Sequence, residues 1–393
     1  MAKWLEKTLG EVTAFIAKGI PPKYTEEENE NTIRVLNQKC NRNFEISYNE
    51  SRIHDCEKKK VPVDKMLRAG DVLINSTGTG TAGRVAQMVE VTVPTTIDGH
   101  MILIRPSEEL DPIYYGYAVK SFQSQIEGLA EGSTGQTEIN RRRLQDEVII
   151  RYPRDKSVQK NIGSFLANID EKIKTNKEIN KNLLQQLHVL YLRLFCDSAM
   201  DTTLGDVVAT TSGGTPSRKH DEYYSDGSIC WVKSKELHGN YIHETEEHIN
   251  DLAIKKSSAK LLPEHSVLIA MYGATVGAYG IISKPMTCNQ AVCALLCNEN
   301  YPYTYLFQIA YESQQKFINL AVGSAQQNIS QVLIKRINLH SDLDIIQRFH
   351  SLALPMHQEI EFLQAENIRL SDLRDNLLPK LMSGELEVSN VEV

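Results

Sequence analysis

Between residues 162 and 194 the non-solvent positions recur in alternating steps of four and three: Ile162, Leu166, Ile169, Ile173, Asn176, Asn180, Leu183, Leu187, Leu190 and Leu194. An a/d seam sustained this long predicts a coiled-coil helix. A second seam runs through Phe349, Ala353, Met356, Ile360, Leu363, Asn367, Leu370, Arg374, Leu377 and Leu381, with Pro355 predicting either its start or a bend. Each helix should hold about 30–40 residues and reach about 45–60 Å. The chain ahead of each seam reads differently. In the first half, short β-rich runs (Val72 to Asn75, Val85 to Val93, Met101 to Arg105, Val148 to Arg151) alternate with Gly, Pro and Asn turns. One helix is expected from Pro112 to Leu129, capped by Asp111 with proline at its first position. The second half repeats the plan with runs at Ser266 to Tyr272, Tyr279 to Ser283 and Ala291 to Cys297, then a helix from Tyr303 to Leu320. Each half therefore predicts an α+β head followed by a long helix.

The repetition extends to the residues themselves. Thr8-Leu9-Gly10-Glu11-Val12 returns as Thr203-Leu204-Gly205-Asp206-Val207, and Val72-Leu73-Ile74 as Val267-Leu268-Ile269, both 195 positions later. Gly132-Ser133-Thr134 answers Gly323-Ser324-Ala325 at 191, and Ile173, Asn180, Leu183 and Leu190 answer Ile360, Asn367, Leu370 and Leu377 at 187. Kept order with a shrinking offset is a tandem duplication whose second copy has lost loop residues. The period is far beyond the roughly 20–50 residues of a solenoid repeat. The expected division is a first head at 1–155, a spacer helix at 156–199, a second head at 200–344, a second spacer helix at 345–385 and a tail at 386–393. The second seam finds its nearest partner in the first. Antiparallel packing then predicts two pseudo-symmetric heads separated by a two-helix rod, with Asn180 and Asn367 near its approximate two-fold axis. A polar residue in such a seam fixes register at some cost in stability.

An apolar fraction of 41% and a charged fraction of 24% over 393 residues are those of a globular protein. No run of about 18 apolar residues is present, and the start has no apolar h-region, so a cytoplasmic protein without a membrane span is expected. Seven cysteines form no paired CxxC spacing. Cys293 and Cys297 lie four apart on an expected strand, about 13 Å, too far for one zinc, so buried thiols are expected. A net charge of −7 weighs against a nucleic-acid partner over the whole surface but not at local basic clusters such as Lys58-Lys59-Lys60, Arg141-Arg142-Arg143 and Arg218-Lys219.

Catalytic signals are weak throughout. Gly78-Thr79-Gly80-Thr81-Ala82-Gly83 has dinucleotide-loop spacing, but a strand rather than a helix is expected after it, so it reads as a turn. Ile20-Pro21-Pro22-Lys23 lacks the asparagine and aromatic of an adenine-methyltransferase loop. Asp55, Glu57 and Lys59 lack the proline-led acidic pair of a nuclease. His238, His243 and His248 have no shared metal spacing and read as surface residues. No catalytic, cofactor or metal residue is assigned.

The remaining signal is a set of polar loops. Thr211 to Lys219 is cationic and hydroxyl-rich, Lys233-Ser234-Lys235 follows Trp231, and Gly323 to Asn328 offers the side-chain amides that can read adenine bidentately. The combination resembles the specificity subunits of type I restriction-modification systems over nearly the whole length. It is carried by Thr8-Leu9-Gly10 and Thr203-Leu204-Gly205 opening each half, Gly213-Gly214-Thr215-Pro216-Ser217 with Tyr223-Tyr224 and Trp231-Val232-Lys233, and Gly70-Asp71-Val72-Leu73-Ile74. It is completed by Gly323 to Ser330 and the terminal Leu377-Leu378-Pro379-Lys380-Leu381-Met382-Ser383-Gly384-Glu385-Leu386. The first half departs from the pattern, with Lys18-Gly19-Ile20-Pro21-Pro22 for the Gly-Gly-Thr-Pro loop, so the heads are expected to read different sequences.

The resemblance implies two target-recognition domains, each reading one part of a bipartite duplex DNA site, with the rod setting the gap. It implies two modification (methyltransferase) subunits and restriction (translocase/nuclease) subunits as partners. S-adenosylmethionine, ATP and Mg are then expected on those partners rather than on this non-catalytic chain. The candidate DNA-binding residues are Lys18, Lys23, Tyr24, Thr79, Arg84, Ser133, Thr134, Gln136 and Thr137 in the first half. In the second they are Thr215, Ser217, Arg218, Lys219, Lys233, Lys235, Tyr272, Ser324, Gln326, Gln327 and Asn328. Ile173, Asn180, Leu187, Ile360, Asn367 and Leu370 are the rod and interface candidates. A stand-alone DNA-binding or scaffold protein built on the same heads is the alternative.

Overall fold

A computed structural model describes residues 3–132, 137–322 and 328–388. The chain divides into two units, one of residues 1–172 with 370–393, the other of residues 173–369. Each unit thus combines one head with parts of both long helices.

In the first unit the main strands are β1 (Trp4–Thr8), β2 (Thr13–Lys18), β3 (Tyr24–Thr25), β4 (Thr32–Leu36), β5 (Arg52–Asp55), β6 (Val72–Asn75), β7 (Val85–Gln87), β8 (Thr95–Ile97) and β9 (Met101–Pro106). They are followed by helices α1 (Pro112–Ser121) and α2 (Gln123–Gly128), strand β10 (Ile149–Pro153) and the long helix α3 (Lys156–Phe195). The sheet β2-β9-β6-β7 is antiparallel throughout. A second sheet, β8-β4-β5-β3, includes the parallel pair β8/β4. Strand β6 is buried at all four positions and its side chains alternate between two cores. Val72 and Ile74 face Tyr114, Tyr115, Ile162 and Leu381, whereas Leu73 faces Leu36, Ile97 and Leu103.

The single helix expected from Pro112 to Leu129 is two. Asp111 caps the first as foreseen, accepting from the Ile113 and Tyr114 amides. At Phe122 the backbone leaves helical geometry, with ψ at 10°, and its amide bonds back to Lys120 and Val119. The strand expected to reach Val93 ends at Gln87, whose side-chain amide donates instead to the Gly70 and Pro112 carbonyls.

The second unit repeats the plan with β11 (Ala209–Ser212), β12 (Ile229–Val232), β13 (Tyr241–Ile242), β14 (His248–Ile249), β15 (Val267–Ala270), β16 (Tyr279–Ile282), β17 (Thr287–Cys288) and β18 (Val292–Leu296). Helix α4 (Tyr303–Val322) and most of the long helix α5 (Leu343–Ser383) also belong to it. Its sheets are β11-β18-β15-β16-β13 and β14-β12-β17, the latter again with one parallel pair, β12/β17. Val267 and Ile269 face the helices while Leu268 and Ala270 face the second sheet.

The long helices pack antiparallel inside each unit. In the first, Ile162 and Leu166 share a core with Leu378, Leu381 and Met382, and Arg374 Nη1 lies 2.5 Å from Asp170 Oδ1. The charged seam residue Arg374 is thereby partnered. In the second, the Tyr191 and Phe349 rings are 6.0 Å apart, and Leu187 and Ile360 are buried in one core. Ile173 is buried and Leu370 half-buried on the same seams. Asn367 Oδ1 accepts from Asn176 Nδ2 at 3.0 Å. The asparagine bonded to Asn367 is therefore Asn176, one turn before Asn180, because the packing register differs by one turn from the midpoint pairing. Pro355 does not start the second helix, which begins at Leu343 and is assigned continuously through the proline.

Candidate nucleic-acid interface

The duplication can be followed atom by atom at one end of each main sheet. In the first unit Gly19 N donates to Met101 O at 3.1 Å and Ile20 N to Ile97 O at 2.9 Å. In the second, Gly213 N donates to Val292 O at 3.1 Å and Gly214 N to Cys288 O at 2.9 Å. A β-carbon on Gly19 would sit 2.1 Å from Asp98 O, and one on Gly213 would sit 2.2 Å from Cys288 O. Both positions require glycine because two backbones touch there. The turn each glycine presses on is closed by the same side-chain device: Asp98 Oδ1 accepts from His100 N, and Asn289 Oδ1 from Ala291 N. A third loop joins by an isolated bridge, Thr77 to Glu138 in one unit and Tyr272 to Asn328 in the other.

Each head therefore gathers three or four chain segments at one sheet end, with the same backbone and different side chains. In the first unit these segments present Lys18, Gln38, Thr77, His100 and Glu138. Lys18 is ion-paired with Glu138, and Thr77 Oγ1 bonds His100 Nδ1 at 2.9 Å and Gln38 Oε1 at 3.2 Å. Gln38 and His100 went unassigned in the sequence because neither lies in a recognisable motif. Their signal is positional: each follows a strand of the parallel pair β4/β8.

The other first-half candidates have separate placements. Lys23 is exposed, its amide donating to His54 Nδ1. Tyr24 lies under the Arg52 guanidinium, 3.4 Å from ring centroid to Cζ, so one face is covered. Thr79 is exposed at the tip of the glycine turn, and Arg84 curls back to the Gly80 carbonyl at 2.9 Å. No helix opens after that turn, since β7 follows it. Thr137 is half-buried beside the bridge. Ser133, Thr134, Gln136, Ser324, Gln326 and Gln327 lie outside the described residues.

In the second unit Thr215, Ser217 and Lys219 are exposed on the loop that leaves Gly214. Trp231 is buried beneath this loop, its indole N–H donating to Gly214 O at 3.0 Å, and Tyr224 Oη donates to Pro216 O at 2.7 Å. Arg218 stacks on this aromatic base, 4.2 Å from the Tyr224 centroid and 5.4 Å from that of Trp231. The cations are engaged by acids: Arg218 and Lys233 both pair with Glu247, and Lys235 lies 2.6 Å from Glu246. Tyr272 is exposed, and Asn328 Oδ1 accepts from Gly273 N at 3.4 Å. The acidic partners were missed because each is remote in sequence or on another turn.

Two further histidine assignments change. His248, expected at the surface, is half-buried and lies 2.5 Å from Glu244 Oε1, which also accepts from the Cys230 thiol at 2.8 Å. Cys230 and His248 are direct cross-strand neighbours, which is why the three groups meet. They are the one trio with metal-ligand proximity among the described residues. Lys284 Nζ already sits 3.1 Å from Glu244 Oε2, so an ammonium supplies the local cation. Burial pushes the Glu244 carboxyl up, but the bonds from Cys230, His248 and Lys284 outweigh it and bring it down to about 2. His243 is also half-buried, and burial lowers its pKa.

A duplicated α+β head that gathers variable polar loops over a constant backbone clamp is the plan of a two-site recognition protein. A family model for the type I restriction modification DNA specificity domain matches residues 1–185 and again residues 198–341, and the chain belongs to that family. It is 26% identical over 188 residues to the HindI specificity subunit of Haemophilus influenzae, a match spanning 47% of this chain and only 40% of that relative. It is 25% identical over 305 residues to the MjaIX specificity subunit of Methanocaldococcus jannaschii, covering 71% and 69% of the two chains. The crystal structure of a type I restriction-modification S subunit from M. genitalium shares the fold, with a TM-score of 0.60 at 17% identity over 97% of this chain and 96% of that one.

Proposed function

We propose that this chain is the non-catalytic specificity subunit of a type I restriction-modification enzyme, each head reading one part of a bipartite duplex DNA site. The observation that carries the reading is the constant clamp, Gly19 on Asp98 and Gly213 on Cys288, holding different side chains at its rim. Constant backbone with variable rim is what two unlike half-sites require: base edges are read by side chains, while backbone geometry and cations set position. Modification subunits docked on this chain supply S-adenosylmethionine and adenine-N6 chemistry. Restriction subunits supply the ATP- and Mg-dependent steps, and the complex works in the cytoplasm. Among the described residues no helix is long and apolar enough to cross a membrane.

The test is methylome mapping of the complex assembled with its modification subunit, together with titration of that complex against matched and random duplexes. Replacing Gln326, Gln327 and Asn328 with Ala should relax one half-site and leave the other unchanged, at about 1–3 kcal/mol per lost bidentate contact. Equal loss of affinity for matched and random duplexes would make that loop a positioning element and remove it from base reading.

A further inference from the structure

We propose that Glu247 is a built-in competitor for the DNA backbone, holding Arg218 and Lys233 in the unbound second head until phosphate displaces it. The proposal rests on the DNA-reading role above and adds a residue that sets how tightly the second head holds the DNA backbone.

One carboxylate engages two cations, Oε2 with Arg218 and Oε1 with Lys233. A phosphate presents the same geometry, two anionic oxygens to a guanidinium and an ammonium. The carboxylate is held in place by its backbone. Thr245 Oγ1 donates to Glu247 O at 2.7 Å, and Trp231 N donates to the same carbonyl at 3.1 Å. The turn is fixed upstream as well, where Glu246 N donates to Glu236 Oε1 at 2.8 Å.

The cations are also ordered. Arg218 Cζ lies over the Tyr224 ring, and the Lys233 side chain is only 17% exposed. The head therefore carries an organised cation pair whose charge is partly offset, by Glu247 on both cations and by Glu246 3.6 Å from Lys233, until a better anion arrives. A random duplex offers only its phosphates, which must first break both pairs. A matched duplex adds base contacts that offset this cost. An internal competitor thus lowers binding to both duplexes by the same factor, and only a duplex that adds base contacts is then held tightly.

The full-length chain, its Glu247→Gln variant and a Glu299→Gln control are titrated against a labelled random-sequence duplex at several KCl concentrations. Glu299 is an exposed acid of the same unit, so the control carries the same change in net charge. Glu247→Gln should bind random duplex about fivefold more tightly, the upper end for an exposed ion pair. Its log–log salt slope should steepen by about 0.9 for each cation that gains a phosphate. Adding Arg218→Ala should remove most of the gain, and Glu299→Gln should match wild type. If Glu247→Gln binds no more tightly than wild type, or more weakly, Glu247 positions the cations for DNA and the competitor role is wrong. If no variant binds duplex even at the lowest salt, the DNA-reading role itself fails.

Discussion

Acidification should loosen the second unit through one buried imidazole. His357 on α5 is 1% exposed, its Nδ1 3.0 Å from the Tyr241 hydroxyl and its ring edge-on to Tyr303 and Phe307. Burial first, then the neighbouring His265 and His350, lower its pKa from 6.5 to about 3. Between those values the unfolded chain takes up a proton that the folded chain refuses. The stability associated with the neutral ring is therefore complete above about pH 6.5 and is lost progressively as pH falls toward 3. One unit below the unfolded pKa, at about pH 5.5, the loss from this residue is about 1.4 kcal/mol. Burial also lowers His243, His340 and His350, so the wild-type loss should be larger. The assay is urea unfolding at about pH 7.5 and 5.5, comparing wild type with His357→Gln. The chain has two tryptophans, Trp4 in the first unit and Trp231 in the second, so a Trp4→Phe background makes fluorescence report the second unit alone. The pH-dependent loss should be smaller by about 1.4 kcal/mol in the variant. Identical pH dependence in the two proteins would refute the reasoning.

Two further changes test the packing. Gly19→Ala and Gly213→Ala each force a β-carbon to within 2.2 Å of a backbone carbonyl, and should cost about 1–3 kcal/mol in thermal unfolding while disturbing recognition of one half-site apiece. Normal melting with both half-sites intact would show that the clamp yields freely. Replacing Asn176 alone by Leu should cost about 1–3 kcal/mol, whereas Leu at both 176 and 367 should recover much of that loss, because Asn367 is then not left without the amide it bonds. Denaturant midpoints of the three proteins decide it.

What could be read from the chain follows from how local the determinants are. Helix α3 spans Lys156–Phe195 because its seam is a one-dimensional pattern, and β6 and β15 appear as apolar runs because both their faces are buried. The second sheet of each head was not legible. Strands such as Thr32–Leu36 and Arg52–Asp55 are short and partly polar, and the parallel pairing of β4 with β8 joins residues about 60 positions apart. The rim was half legible. Arg218 and Lys233 stand out as cations, but nothing near either in sequence announces that Glu247 will hold both. The Asp98 and Asn289 turns hide for the opposite reason: an Asp-Gly or Asn-Gln pair is common, and only the glycine pressed against it gives it meaning.

The first unit needs residues made long after its own head. Leu378, Leu381 and Met382 fill its core, and Gly384 packs so closely on Trp4 that a β-carbon there would lie 2.5 Å from the indole. A ribosome that has finished Lys172 must still add the whole of the second unit before Leu370 emerges, roughly 10–40 seconds at ordinary elongation rates. Throughout that interval the amino-terminal head has an uncovered apolar groove beside Ile162 and Leu166. The nascent chain is thus a client for whatever shields apolar surface during synthesis, and slower translation of the second half would lengthen its exposure.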